Sequence, residues 1–298
     1  MSLLEAIVLA IVQGLTEFLP ISSTAHLKIV PVLLGWKDPG AAFSAVLQIG
    51  TLVAVLTYFW HDVTRIMTAM LVDLRSRKLG TTHDAQLGWM IAAGTVPIML
   101  FGWLFEKQID TSVRQMYVIC AALAGVAVLL AVAEFFVRRR KAAGNEGRSV
   151  EQLTWRDAAF VGLAQACALI PGTSRSGATI LGGMSCGLSR EGAARFSFLL
   201  CIPAILTAGL YKLYKARHEL LGSQEQVVHL IAALVVTGIV GYATIPWLLG
   251  FLRTHSTYVF IIYRLLLAAF LVALLMNGPV AAKCKGFSAN IKHQCIST

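Results

Sequence analysis

Six stretches of this chain are apolar for about the length of a bilayer crossing, and that restricts the fold more than any other feature. They are 41–60, 89–105, 116–137, 193–214, 227–250 and 258–277, the second being the shortest. A hydrocarbon core is crossed by roughly 20 residues of helix. Inside it every backbone N–H and C=O must find a partner within the protein, which leaves helices or a closed barrel. Runs such as Leu265 to Leu275 lack the polar face of a helix lying on a soluble core. Charged residues make up 13% of the chain and hydrophobic ones 57%; a soluble domain carries about 25% charged residues. The mean hydropathy is +0.73. The expected fold is an all-α polytopic membrane protein with six transmembrane helices.

The net charge of +10 could suggest nucleic acid in a soluble protein. Here the basic residues cluster between the spans, as in Arg75-Ser76-Arg77-Lys78 and Arg138-Arg139-Arg140-Lys141. The positive-inside rule accounts for that placement, and no nucleic-acid partner is expected. Segments 61–88, 138–192 and 251–257 fall on this basic side, read as cytoplasmic. The N-terminus, 106–115, 215–226 and the C-terminus fall on the other, where Lys107, Arg114, Lys215 and Arg217 lie near the spans and the tail's Lys283, Lys285 and Lys292 run against the trend. Glu5 and Glu17 in the first apolar run, with no basic segment before it, argue against a cleavable signal. None of the six cysteines has zinc-ligand spacing; Cys284 and Cys295 of the tail leave a disulfide open.

The two halves echo one another. Phe43-Ser44 with Leu47, Ile49 and Leu52 is matched by Phe196-Ser197 with Leu200, Ile202 and Ile205. Gly94-Thr95-Val96-Pro97 is matched by Ala243-Thr244-Ile245-Pro246, and Tyr117-Val118 by Tyr258-Val259. Repeats of about 1–137 and 155–277, each with three spans, would be inverted relative to each other, in one membrane domain 1–277 followed by a tail 278–298. Inverted repeats place their sites near the midplane, on broken helices. Two apolar arms too short to span, 3–19 and 158–170, run into Leu19-Pro20-Ile21-Ser22-Ser23-Thr24 and Pro171-Gly172-Thr173-Ser174-Arg175-Ser176-Gly177. Both are expected to be re-entrant helical hairpins.

In the first hairpin, Gln13 and Glu17 are four residues apart and share a helix face. A carboxylate near hydrocarbon costs at least about 2.5–3.5 kcal/mol and so faces a partner or a polar cavity; its candidate roles are metal ligand, general base or orienter of a hydroxyl. Ser22, Ser23 and Thr24 are ordinary helix-capping residues. His26, four residues after Ser22 and three after Ser23, adds a base able to activate a hydroxyl. In the second hairpin Gly172 and Gly177 flank Thr173, Ser174, Arg175 and Ser176 ahead of an apolar arm. Gly- and Ser-rich turns are common, but an arginine between apolar arms is costly unless it meets an anion. Free N–H groups at a helix start and a guanidinium together suit a phosphate. Nucleophile, base, carboxylate and anion clamp together point to phosphoryl transfer.

These loops resemble the two signature motifs of the undecaprenyl-pyrophosphate phosphatases, the bacitracin-resistance type. Gln13, Glu17, Pro20, Ser22, Ser23 and His26 match the first, and Pro171, Gly172, Ser174, Arg175, Ser176 and Thr179 the second, within a likeness over about 10–277. The resemblance implies hydrolysis of undecaprenyl pyrophosphate to undecaprenyl phosphate and inorganic phosphate. It implies carrier recycling for peptidoglycan synthesis, bacitracin resistance, a bacterial inner-membrane location and a site opening outward. It also implies a divalent cation, usually Mg2+, and in the expected scheme Glu17 orients either His26 or that ion. Gln13 in place of a glutamate weakens a two-carboxylate metal site there. In the expected scheme Arg175 and the Ser174–Gly177 backbone clamp the pyrophosphate, helped by Ser22, Thr24, Gly172, Ser176 and Thr179. Ser23 attacks, with Ser22 or water as the other candidate nucleophiles, and His26 relays protons. A homodimer is one expected assembly. The rival from another class is a lipid flippase or anion transporter using the same site. The Lys, Arg-Pro, Pro-Ser-Gly-His pattern of acid-phosphatase-like membrane enzymes does not occur.

Overall fold

The computed structural model describes residues 1–106, 116–220 and 222–277. Among them are eleven helices of at least eleven residues and no strand. They are α1 (Leu3–Thr16), α2 (Ser23–Leu33), α3 (Gly40–Tyr58), α4 (Trp60–Ser76), α5 (His83–Leu104), α6 (Met116–Ala142), α7 (Trp155–Ala166), α8 (Arg175–Ser185), α9 (Arg190–Lys215), α10 (Gln224–Thr254) and α11 (Tyr258–Asn277). Five of them, α5, α6, α9, α10 and α11, are long and apolar enough to cross a bilayer; the bent pair α3–α4 makes a sixth span if counted as one. The tail from 278, with its cysteines and lysines, and Lys107 and Arg114 lie outside the described residues.

Capping side chains set the helix starts. Ser2 and Glu5 form a capping box on α1, and Thr154 and Asp157 form one on α7. Thr82, Ser189 and Ser223 cap α5, α9 and α10. Each supplies an oxygen to a first-turn N–H that would otherwise lack a partner. Segment 61–88, expected as a loop, contains α4, which leaves α3 at 82° after Phe59. Asp62, Arg65, Asp73 and Arg75 make α4 too charged to resemble a span, yet Met67, Leu71, Val72 and Leu74 leave it with exposed apolar surface. Asp73 ties its end to α5, accepting from the Gly80 N–H at 2.6 Å and from Trp89 Nε1 at 3.0 Å.

Packing interlocks the halves. The short arm α1 lies on α10, and the short arm α7 lies on α5, so each hairpin leans on a span of the other half. The close approaches need glycine. A Cβ on Gly14 would lie 2.8 Å from the Val240 Cβ, and one on Gly162 would lie 2.5 Å from the Gly94 carbonyl oxygen. The spans α3 and α9 pack together at the centre, and α6 pairs with α11. A buried ion pair fastens the basic-loop end. Arg190 donates through Nε to Glu134 at 3.0 Å and through a terminal nitrogen at 2.5 Å, and the Thr257 hydroxyl donates to the same carboxylate at 2.9 Å.

Candidate active site

The two hairpin tips meet between the halves. Each tip turns into its second helix through a serine with left-handed backbone: Ser22 at φ 75° before α2 and Ser174 at φ 69° before α8. Ser22 follows Gln13 by nine residues, as Ser174 follows Gln165. The Ser22 and Ser174 hydroxyls accept the third N–H of their helices, from Ala25 at 3.4 Å and from Gly177 at 3.1 Å. Both therefore act as caps. Such backbone costs about 1–3 kcal/mol at a non-glycine residue and persists only where the surroundings over-determine it.

Those surroundings include Arg264 of α11, which is fully buried. Its guanidinium donates to the Pro20 carbonyl at 3.0 Å in the first tip and to the Gly172 and Thr173 carbonyls at 3.0 and 3.2 Å in the second. It also reaches the Leu123 and Ala122 carbonyls of α6 at 3.2 and 3.3 Å. A second stitch runs from the Ser176 hydroxyl to the Leu19 carbonyl at 2.9 Å. Gly172 closes the gap to α6, where a Cβ would lie 2.5 Å from the Ile119 carbonyl oxygen.

At the junction sits Glu17. One carboxylate oxygen is paired with the Arg175 guanidinium. The other accepts the Ser23 hydroxyl at 2.7 Å and the Gln13 amide nitrogen at 2.7 Å. Glu17, Ser23, Thr24, Gly172, Ser174 and Arg175 all line one cavity of about 410 Å3. Apolar side chains such as Ile98, Met99, Leu169 and Ile170 form much of the rest, and Glu106, Tyr211 and Lys212 stand where α5 and α9 end. Beside them Lys215 donates to Glu106 at 2.8 Å, which holds that carboxyl below its usual range.

Other candidate residues hold the frame. Ser22, Ser176, Gly177 and Thr179 do not line the cavity. The Thr179 hydroxyl donates to the Arg175 carbonyl at 2.8 Å and contacts the Ser197 hydroxyl at 2.5 Å, fixing the first turn of α8. His26 bonds neither serine hydroxyl. Its Nδ1 donates to the Ser22 carbonyl at 2.7 Å, and its Nε2 meets the Tyr263 hydroxyl at 2.6 Å, with the rings stacked. By spacing alone His26 shares a helix face with Ser22 and Ser23. Because Ser22 is the cap, the histidine one turn on reaches its carbonyl instead, and Glu17 is the carboxylate in contact with the Ser23 hydroxyl.

Sequence reasoning missed Arg264, Tyr263 and Ser197. Arg264 had a signal: an arginine within an apolar span is costly unless it works. Ser197 had a weaker one, as the counterpart of Ser44 in the repeat.

Among the described residues no cluster of three or more His, Cys, Asp or Glu side chains forms a metal site. The donors nearest the cavity are one carboxylate, Glu17, which lines it, and, behind Glu17 in α1, the Gln13 amide oxygen, which is buried without a partner and does not line it. That set fits Mg2+, which keeps several waters and takes one or two protein oxygens plus substrate phosphates. It does not fit a cage made wholly by protein.

Comparison with known proteins follows the same residues. The chain matches the family model described as bacitracin resistance protein BacA over residues 6–270. It is 55% identical over 282 residues to the undecaprenyl-diphosphatase of Prosthecochloris aestuarii, covering 95% of this chain and 100% of that one. It is 52% identical over 282 residues to the one from Chloroherpeton thalassium, at the same coverage, and 54% over 283 residues to the one from Chlorobium limicola, again at 95% and 100%. With both hairpin tips inside the matched region, the chain belongs to the bacitracin resistance protein BacA family.

Proposed function

We propose that the chain is an integral membrane phosphatase that hydrolyses undecaprenyl pyrophosphate to undecaprenyl phosphate and inorganic phosphate, recycling the lipid carrier for peptidoglycan synthesis and conferring bacitracin resistance. The observation that carries this is Glu17. One carboxylate touches both a hydroxyl able to attack phosphorus and a guanidinium able to hold phosphate oxygens, at the polar end of a cavity with apolar walls. The names of the relatives support the same reading.

The mechanism follows from these contacts. The polyprenyl chain lies along the apolar part of the cavity and the pyrophosphate meets Arg175 and the first N–H groups of α8. The Ser23 oxygen attacks the terminal phosphorus while its proton passes to Glu17. The bond from that phosphorus to the bridging oxygen breaks, and undecaprenyl phosphate leaves. Water then cleaves the phosphoserine, giving inorganic phosphate and restoring the Ser23 hydroxyl. Glu17 and Gln13 would hold Mg2+, which would neutralise developing charge on the phosphates. His26 with Tyr263 orients the tip and serves as a proton path. Ser22 is set aside as nucleophile because its hydroxyl is buried and caps α2.

The two hairpins and their matching contacts support an inverted repeat within one membrane domain, 1–277. The loop charge supports an inner-membrane orientation with this cavity opening outward. Assembly as a homodimer belongs to the same reading and is tested by mass in detergent. The activity is tested by phosphate release from undecaprenyl pyrophosphate by purified protein with Mg2+, comparing wild type with Ser23→Ala. Release by the folded variant at the wild-type rate rules out Ser23 as nucleophile. No release by either, with an active relative as control, turns the reading to lipid or anion transport.

A further inference from the structure

A second groove lies away from the reaction cavity, between α6, α7 and α8. Its volume is about 650 Å3. Leu129, Val132 and Phe136 of α6 and Phe160 of α7 line it, and each is about half exposed or more. The lining also includes Arg139 and Arg140 at the C-terminal end of α6 and Met184 and Ser185 at the end of α8.

The two arginines lack counter-charge. Among the described residues neither has an ion-pair partner: the nearby acids Glu146 and Asp157 are taken by Lys141 at 3.0 Å and Arg148 at 2.8 Å. Arg140 only rests on the Met184 and Leu188 carbonyls at 3.4 Å each, and its Nε is buried with no partner. Arg139 stacks on Phe135, 4.5 Å from the ring centroid. An apolar trough ending in two uncompensated guanidiniums complements one class of molecule, an acyl chain bearing an anionic phosphodiester.

We infer that this groove binds an anionic phospholipid, with its headgroup phosphate on Arg139 and Arg140 and an acyl chain between Phe136 and Phe160. The occupant would brace α8, whose far end carries Arg175 at the reaction cavity. The site does not depend on the phosphatase reading, since none of its residues touches the cavity described above.

The test uses the full chain in detergent, with bound lipid counted by native mass spectrometry during titration with phosphatidylglycerol or with phosphatidylcholine of the same acyl chains. Wild type should retain phosphatidylglycerol about tenfold more tightly. Arg139→Gln and Val132→Trp should each weaken it severalfold, by removing charge and by filling the trough. Arg139→Gln with Arg140→Gln should bring it to the phosphatidylcholine level. If the double variant fails to fold because Arg140 also supports the end of α8, the two single variants decide. The inference fails if wild type shows no preference, or if the preference survives both single variants. It also fails if millimolar inorganic phosphate or undecaprenyl pyrophosphate displaces the lipid, since the first would mean headgroup attraction alone and the second would place the lipid in the reaction cavity.

Discussion

Replacing Arg264 with methionine should disable the enzyme although Arg264 does not itself line the cavity. The substitution keeps most of the apolar stem and removes the guanidinium. The Leu123 and Ala122 carbonyls lie within helix α6, whose own N–H groups still serve them. The Pro20, Gly172 and Thr173 carbonyls belong to the hairpin tips and lose a charge-assisted donor. Each buried carbonyl left without a donor costs about 1–3 kcal/mol, so the three cost about 3–9 kcal/mol. Part is offset because a buried charge without a carboxylate partner is itself costly. The tips then relax apart, and a displacement near 1 Å between reacting groups lowers the rate roughly a hundredfold. The expected result is a drop in kcat/KM of about a hundredfold, measured by phosphate release, with the protein still monodisperse and helical. Arg264→Lys should recover only part of it, since one ammonium cannot reach Pro20, Gly172 and Leu123 together. Turnover of Arg264→Met within threefold of wild type would refute the idea that this residue holds the two tips in register.

Ser23→Ala should abolish turnover while Ser22→Ala keeps much of it and loses about 1 kcal/mol of stability through the cap, as read by thermal unfolding beside the activity assay. Arg175→Lys should remain well below wild type because it keeps the charge but loses the fork that can hold Glu17 and phosphate together; near-normal kcat/KM would remove that role. Chelation should stop phosphate release and added Mg2+ restore it, and Gln13→Glu should lower the Mg2+ concentration for half-activity; full activity in excess chelator would overturn the assigned metal role. Because the Glu106 carboxyl is held low by Lys215, that pair should stay ionised from about pH 5 to 8 and break only as pH falls through the depressed value. A Glu106→Gln variant leaves Lys215 without its carboxylate and should lower KM for the anionic substrate by a similar factor across that range, and a KM change confined to one end would contradict it.

The spans and both hairpins were legible because their apolar lengths and interruptions are set by the bilayer itself. The grouping of Glu17, Ser23 and Arg175 was legible only as a list of reactive types, since 158 positions separate Glu17 from Arg175 and no local spacing says that they touch. Helix α4 was illegible because Asp62, Arg65, Asp73 and Arg75 interrupt its apolar run, and a window average hides the exposed Met67, Leu71, Val72 and Leu74 between them. The partners of His26 were illegible because i to i+4 spacing puts residues on one face without saying which atom of the neighbour is available; capping by the Ser22 hydroxyl leaves its carbonyl. Arg264 was hidden by its surroundings, one charge among apolar neighbours of α11, and only the tertiary contacts show five carbonyls converging on it.

The left-handed serines at the two tips put backbone strain at the working point of this protein. Ser22→Gly would relieve the φ strain and lose only a few tenths of a kcal/mol of capping, so it should raise the unfolding temperature while turnover falls as the tip gains freedom. Selection for thermal tolerance alone would erode these two serines first, and a thermostable variant recovered without an activity screen would be expected to carry glycine at one of them.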